Sequence, residues 1–147
     1  MEKQNNLNPV ICKVYFTEIN KIASLNTSND MNYRTLSLNV NQSSNDVYFT
    51  PSTAVVSSQH SDSDNGCIYN NVLQLKYPGD GLNMPGYLKD INGKLGVIHY
   101  IYNNNIVKTF GTIENPVQCN MDYDGRSAAY DVVFSQKDTL PPLNLSI

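Results

Sequence analysis

The stretch from Leu95 to Asp138 constrains the fold more than any other. In Leu95–Tyr102 both alternating sets of side chains are largely apolar: Leu95, Val97 and Ile101 on one side, Ile98, Tyr100 and Tyr102 on the other. Strand residues alternate between two faces, so a strand apolar on both is covered on both. Asn103-Asn104-Asn105 follows, and Ile106–Ile113 returns as a second β-rich run. Asn tolerates the left-handed backbone of tight turns, so the two runs read as a hairpin. A third strand, Ala128–Ser135, comes after the turn Asp122-Tyr123-Asp124-Gly125. One cover for the central strand is the short helix expected over Asn83–Ile91, where Tyr87, Leu88 and Ile91 share a face and Gly93 is placed to cap the end. The alternative for that same cover is a second subunit.

The preceding chain also favours strands. In Val10–Thr17 the even positions Val10, Cys12, Val14 and Phe16 form an apolar face. Glu18–Leu25 fits either a helical turn or a continued strand with a bulge. Tyr33–Val40 alternates, with Leu36, Leu38 and Val40 opposite Thr35, Ser37 and Asn39. Short strands are expected at Val47–Thr50, Thr53–Ser58, Cys67–Tyr69 and Val72–Tyr77, with Gln59–Gly66 as a polar surface loop. Pro78-Gly79-Asp80-Gly81 is a break. The expected fold is mainly β, a single-domain antiparallel β-sandwich or barrel of about eight strands with one or two short helices. Residues 1–8 read as a flexible N-terminal arm, 9–138 as the β domain and 139–147 as an extended C-terminal tail, where Pro141-Pro142 forbids helix.

Composition agrees. The chain has 147 residues, enough for one domain with a core of its own. Its polarity comes from neutral side chains, with 21 Asn, a residue that favours turns over helix interiors. Ten tyrosines suit half-buried strand faces and interfaces. Net charge is −3 and the ten basic residues are scattered, which argues against nucleic-acid binding. No apolar run has membrane-helix length, and the polar N-terminus has no signal-peptide core, so neither membrane nor secretion is expected.

Catalytic and metal-binding signals are weak. Cys12, Cys67 and Cys119 form no C-x-x-C pair and read as small buried thiols, leaving a zinc site unsupported. His60 falls in the polar loop and His99 in the apolar strand, where it reads as a satisfied strand histidine. Asn120–Asp131 places oxygen donors at some positions of a calcium loop, but Asn opens it, Asp closes it and its flanks are strands, so a plain hairpin turn is the better reading. The carboxylates Glu18, Asp46, Asp90 and Glu114 form no acid/base pair. No enzyme activity and no cofactor are expected. Tyr33, Tyr48, Tyr69 and Tyr123 are candidates for stacking on sugars in a ligand- or carbohydrate-binding module.

Val72-Leu73-Gln74-Leu75-Lys76-Tyr77-Pro78-Gly79-Asp80, Tyr87-Leu88-Lys89-Asp90, Gly96–Asn104, Phe110-Gly111, Asn115-Pro116-Val117 and Tyr130-Asp131-Val132-Val133-Phe134-Ser135-Gln136-Lys137 occur in that order. Over residues 67–142 this ordering resembles small virion structural proteins of tailed phages infecting Bacteroidota, crAss-like phages included, and their prophage relatives. The resemblance implies a repeated subunit of a tail or neck ring or tube, or a head-decorating protein. It implies a homo-oligomer that also contacts other virion proteins, made in a bacterial host cytoplasm and located in the virion. Tyr100, Tyr102, Leu140, Leu143, Leu145 and Ile147 are the candidate assembly interface, since extended arms with apolar anchors add to a neighbour's sheet edge.

Overall fold

The computed structural model describes residues 9–64, 66–79, 86–126 and 128–146. The expected arm, residues 1–8, lies outside them, as do Ile147 and the first residues of the expected helix. The elements in chain order are β1 (Ile11–Glu18), a 3-10 turn (Ile19–Lys21), β2 (Ile22–Thr27), β3 (Tyr33–Leu38), β4 (Asn45–Asp46), β5 (Val55–Ser63), β6 (Gly66–Pro78), α1 (Gly86–Ile91), β7 (Leu95–Tyr102), β8 (Val107–Phe110), β9 (Val117–Asp124), β10 (Ala129–Asp138) and β11 (Leu143–Ser146). The fold is mainly β with few helices, and the eleven strands among the described residues form one sheet.

The sheet branches at β7. One edge of β7 pairs with β1 from Gly96 to Tyr102. The other pairs with β8 over Ile98–Ile101 and passes to β9 at Leu95 and Gly96. One wing therefore runs β1-β7-β8-β11-β3-β2, and the other β9-β10-β6-β5. The wings fold over each other. Phe16 of β1 and Phe134 of β10 lie on unpaired strands, yet their ring centroids are 5.5 Å apart. Val14, Phe16, Ile98, Tyr100 and Phe110 from one wing meet Leu73, Leu75, Cys119, Val132 and Phe134 from the other, with Leu88 and Ile91 of α1 in the same cluster. Burying one such side chain stabilises the fold by about 1.5–3 kcal/mol.

From Val97 to Tyr100 both faces of β7 are covered by the chain itself. Ile98 and Tyr100 share the core with α1. Val97, on the opposite face, is fully buried, and the 3-10 turn packs against β7. Gly96 lets β1 approach: a Cβ there would lie 2.8 Å from Phe16 Cζ and closer still to the Thr17 carbonyl oxygen.

Several local expectations are corrected. A bulge between Ile11 and Lys13 resets the alternation of β1, so Ile11, Val14 and Phe16 point inward while Cys12 is exposed. One inserted residue exchanges the faces of a strand on one side of it. Glu18–Leu25 combines a 3-10 turn with the start of a strand. Val47–Thr50 is irregular, although Val47 and Phe49 are buried. Gln59–Ser63 is the second half of β5, not loop, because continuous pairing with β6 supplies the backbone partners that its polar side chains do not predict. The C-terminal tail is part of the sheet, with β11 between β8, which it meets antiparallel, and β3, which it meets parallel. That one parallel pair makes the sheet mixed rather than purely antiparallel.

Candidate functional site

The β5–β6 hairpin forms one border of the sheet. Its two strands pair without register shift from Val55↔Gln74 to Ser63↔Gly66. On its other side β6 pairs with β10 only from Tyr69 to Pro78, so the end of the hairpin projects past its neighbour. Among the described residues, β5 has β6 as its only strand partner, and its side chains are exposed from Ser57 to Asp62. Natural edges are commonly blunted by Lys, Pro or bulges, and β5 carries none of these. The opposite border strand, β2, is interrupted by a register shift between Ile22 and Ser24.

Behind the hairpin runs a polar seam that is buried at Asn71, Gln136 and Arg34. Ser58 Oγ donates to Asn71 Oδ1 at 2.6 Å, and Asn71 Nδ2 donates to Gln136 Oε1 at 3.2 Å and to the Leu140 carbonyl at 3.0 Å. Gln136 Nε2 donates to the Asn115 carbonyl at 2.8 Å and to Asp138 Oδ2 at 3.1 Å. Asp138 faces Arg34 Nη2 at 3.8 Å. Arg34, only 2% exposed, also donates to the Gly111 carbonyl and to Thr27 Oγ1, both at 3.3 Å. Burial lowers its pKa from the ordinary guanidinium value, with Asp138 opposing. These groups tie β3, β6, β10, the β8–β9 loop and the chain leading to β11 together. Their role is structural, since buried polar groups need partners. The period-2 register of Arg34 with Leu36 and Leu38 was the sequence signal for its inward direction.

An open groove of about 470 Å³ lies beside β1, lined by Val10, Ile11, Lys13, Val47, Tyr48 and Phe49 among others. Tyr48 is 59% exposed there, and its ring meets Tyr77 edge-on. The four tyrosines proposed for stacking sit on different elements: Tyr33 on β3, Tyr48 after β4, Tyr69 on β6 and Tyr123 on β9.

The expected assembly residues fall in several places. Tyr100 is buried and stands edge-on to both Tyr102 and Phe110. Burial, with Tyr102 beside it, pushes its pKa well above that of an ordinary phenol. Leu143 and Leu145 are buried in β11. Tyr102 and Leu140 are half-buried, and Ile147 lies outside the described residues. The surfaces of Tyr100, Leu143 and Leu145 are thus used within the chain, because β11 closes its own sheet instead of a neighbour's. Tyr100→Ser is expected to lower the melting temperature rather than act on assembly alone.

His99 is buried and stacked on Tyr15 at 4.8 Å. Unlike the satisfied histidine expected from the sequence, its Nδ1 has no hydrogen-bond partner among the described residues. Burial pushes its pKa down to about 4, which keeps the ring neutral at neutral pH. Asn120–Asp131 forms the β9–β10 hairpin, with Asp122 opposite Asp131. The cation beside these carboxylates is Lys76, whose Nζ lies 3.0 Å from Asp131 and 3.7 Å from Asp124. Cys119 is buried, Cys67 half-buried and Cys12 exposed, all as free thiols. No helix among the described residues is long and apolar enough to cross a membrane.

These features define a folded-over mixed β-sheet with one long, regular, exposed border strand. Comparison of the chain with known protein families, curated proteins and solved structures finds no significant match.

Proposed function

We propose that the protein is a structural subunit that works by self-association: a virion protein of a tailed phage, repeated in a ring or tube of the tail or neck. The observation that carries this reading is the border strand β5, nine residues long, regular and without Lys or Pro. A strand of this kind offers a row of backbone donors and acceptors to another chain. Head-to-tail pairing of one border with a different surface of the next copy generates closed rings or tubes. The virion assignment rests on the resemblance over residues 67–142, and a head-decorating role uses the same surface chemistry.

Light scattering on the purified protein tests the reading. A discrete assembly of many copies is expected. Ser57→Lys with Gln59→Lys places charges on exposed positions of β5 and is expected to yield monomers with an unchanged circular dichroism spectrum. A wild-type protein that stays monomeric at all concentrations overturns the proposal. A second reading, a ligand-binding β module, is favoured by the groove beside Tyr48; a monomer that binds glycans, and loses them on Tyr48→Ala, would establish it instead.

A further inference from the structure

The β5–β6 hairpin brings together three side chains that sequence spacing alone does not connect. His60 and Asp62 are two residues apart on β5 and share a face. Cys67 of β6 pairs directly with Asp62, and Tyr69 directly with His60, so all four project from the same side. His60 Nε2 lies 3.2 Å from Asp62 Oδ1, and Cys67 Sγ lies 4.0 Å from the same oxygen. One donor atom from each of His60, Asp62 and Cys67 falls within 4.8 Å of the others. The Tyr69 ring lies 5.5 Å from the His60 ring and flanks it.

We propose that His60, Asp62 and Cys67 bind one divalent ion of the zinc class. The donor set is an imidazole nitrogen, a carboxylate oxygen and a thiol sulfur, the three ligand types zinc takes. Bonds of about 2.0–2.3 Å around a tetrahedral ion put neighbouring donors roughly 3.2–3.8 Å apart. The separations here bracket that range, so closure needs only side-chain rotation on a fixed backbone register. Thiolate and imidazole together select zinc over magnesium or calcium, which prefer all-oxygen sites. With Asp62 ionised and the Cys67 thiol deprotonated to bind, the two negative charges balance the ion. The fourth position faces solvent, because His60 and Asp62 are exposed. An ion here would also cross-link β5 to β6 where the hairpin has outrun β10, stiffening the projecting end.

The test is a cobalt(II) and zinc(II) titration of the reduced, tag-free protein. The expected result is one ion per chain, with a thiolate-to-cobalt charge-transfer band that persists in Cys12→Ser and vanishes in Cys67→Ser. His60→Gln and Asp62→Asn each weaken zinc binding at least about tenfold, no less than loss of a supporting contact around a metal typically costs. All four variants alter exposed or half-exposed positions, and an unchanged circular dichroism spectrum verifies the fold. A band that survives in Cys67→Ser, a band lost in Cys12→Ser, or no zinc binding by the folded wild type would overturn the proposal.

Discussion

Replacing Asp138 by Asn removes the carboxylate that faces the buried guanidinium of Arg34 while keeping the shape of the side chain. At the observed 3.8 Å, two unit charges in a protein environment of effective dielectric constant about 20 attract by about 4 kcal/mol. Arg34 keeps its hydrogen bonds to the Gly111 carbonyl and Thr27, and Asp138 retains 14% exposure, which reduces the net loss to about 2–3 kcal/mol. Leaving a buried charge without its counterion is the reason for the cost. In a domain of this size that corresponds to a melting temperature lower by roughly 4–12 °C. The assay is urea denaturation followed by circular dichroism, with an unchanged slope and a lower midpoint. Arg34→Met in the same chain sharpens it: with both charges removed, the double variant is expected to be more stable than the sum of the two single losses predicts. Asp138→Asn within about 0.5 kcal/mol of wild type, the range of an ordinary surface substitution, would refute the reasoning.

Three further outcomes are expected. Gly96→Ala drives a Cβ into the Thr17 carbonyl and the Phe16 ring, so it should cost about 3 kcal/mol or more, the upper end of overpacking; an unchanged melting temperature contradicts this. His99 has a folded pKa of about 4 against an ordinary 6.5, so between those values the unfolded chain binds a proton that the folded one refuses. Its contribution is complete above pH 6.5 and falls as pH drops towards 4, by about 3 kcal/mol in all; His99→Phe should flatten that part of the stability curve, and superimposable curves would show that His99 is not responsible. Burial pushes the Cys119 thiol up to about 12, so a thiol reagent should label exposed Cys12 quickly and Cys119 only on unfolding; rapid labelling of all three cysteines in the native protein would contradict the burial.

The mainly β class was legible because alternation and turn chemistry are local. Tyr130, Val132 and Phe134 alternate inward along β10, and Asn103-Asn104-Asn105 joins β7 to β8, with Asn105 in the left-handed region at φ 67°. The phase of β1 was not legible, because the bulge at Ile11–Lys13 follows from register against β7. The proposed metal site was not legible for a similar reason. His60, Asp62 and Cys67 read as loop and isolated thiol until a nine-residue pairing sets Cys67 opposite Asp62.

The sequence by itself determined that β7 would be covered on both faces, since a strand with largely apolar side chains on both sides has no other stable environment in water. Only the tertiary structure decided what covers it and where β11 goes. The closing strand β11 lies between β8 and β3 because its partners, some 35 and 110 residues earlier in the chain, leave a gap there whose backbone groups need hydrogen bonds. Pairing across such distances depends on the assembled sheet and not on any local pattern. The same global constraint buries the Arg34 charge and leaves β5 as an open border.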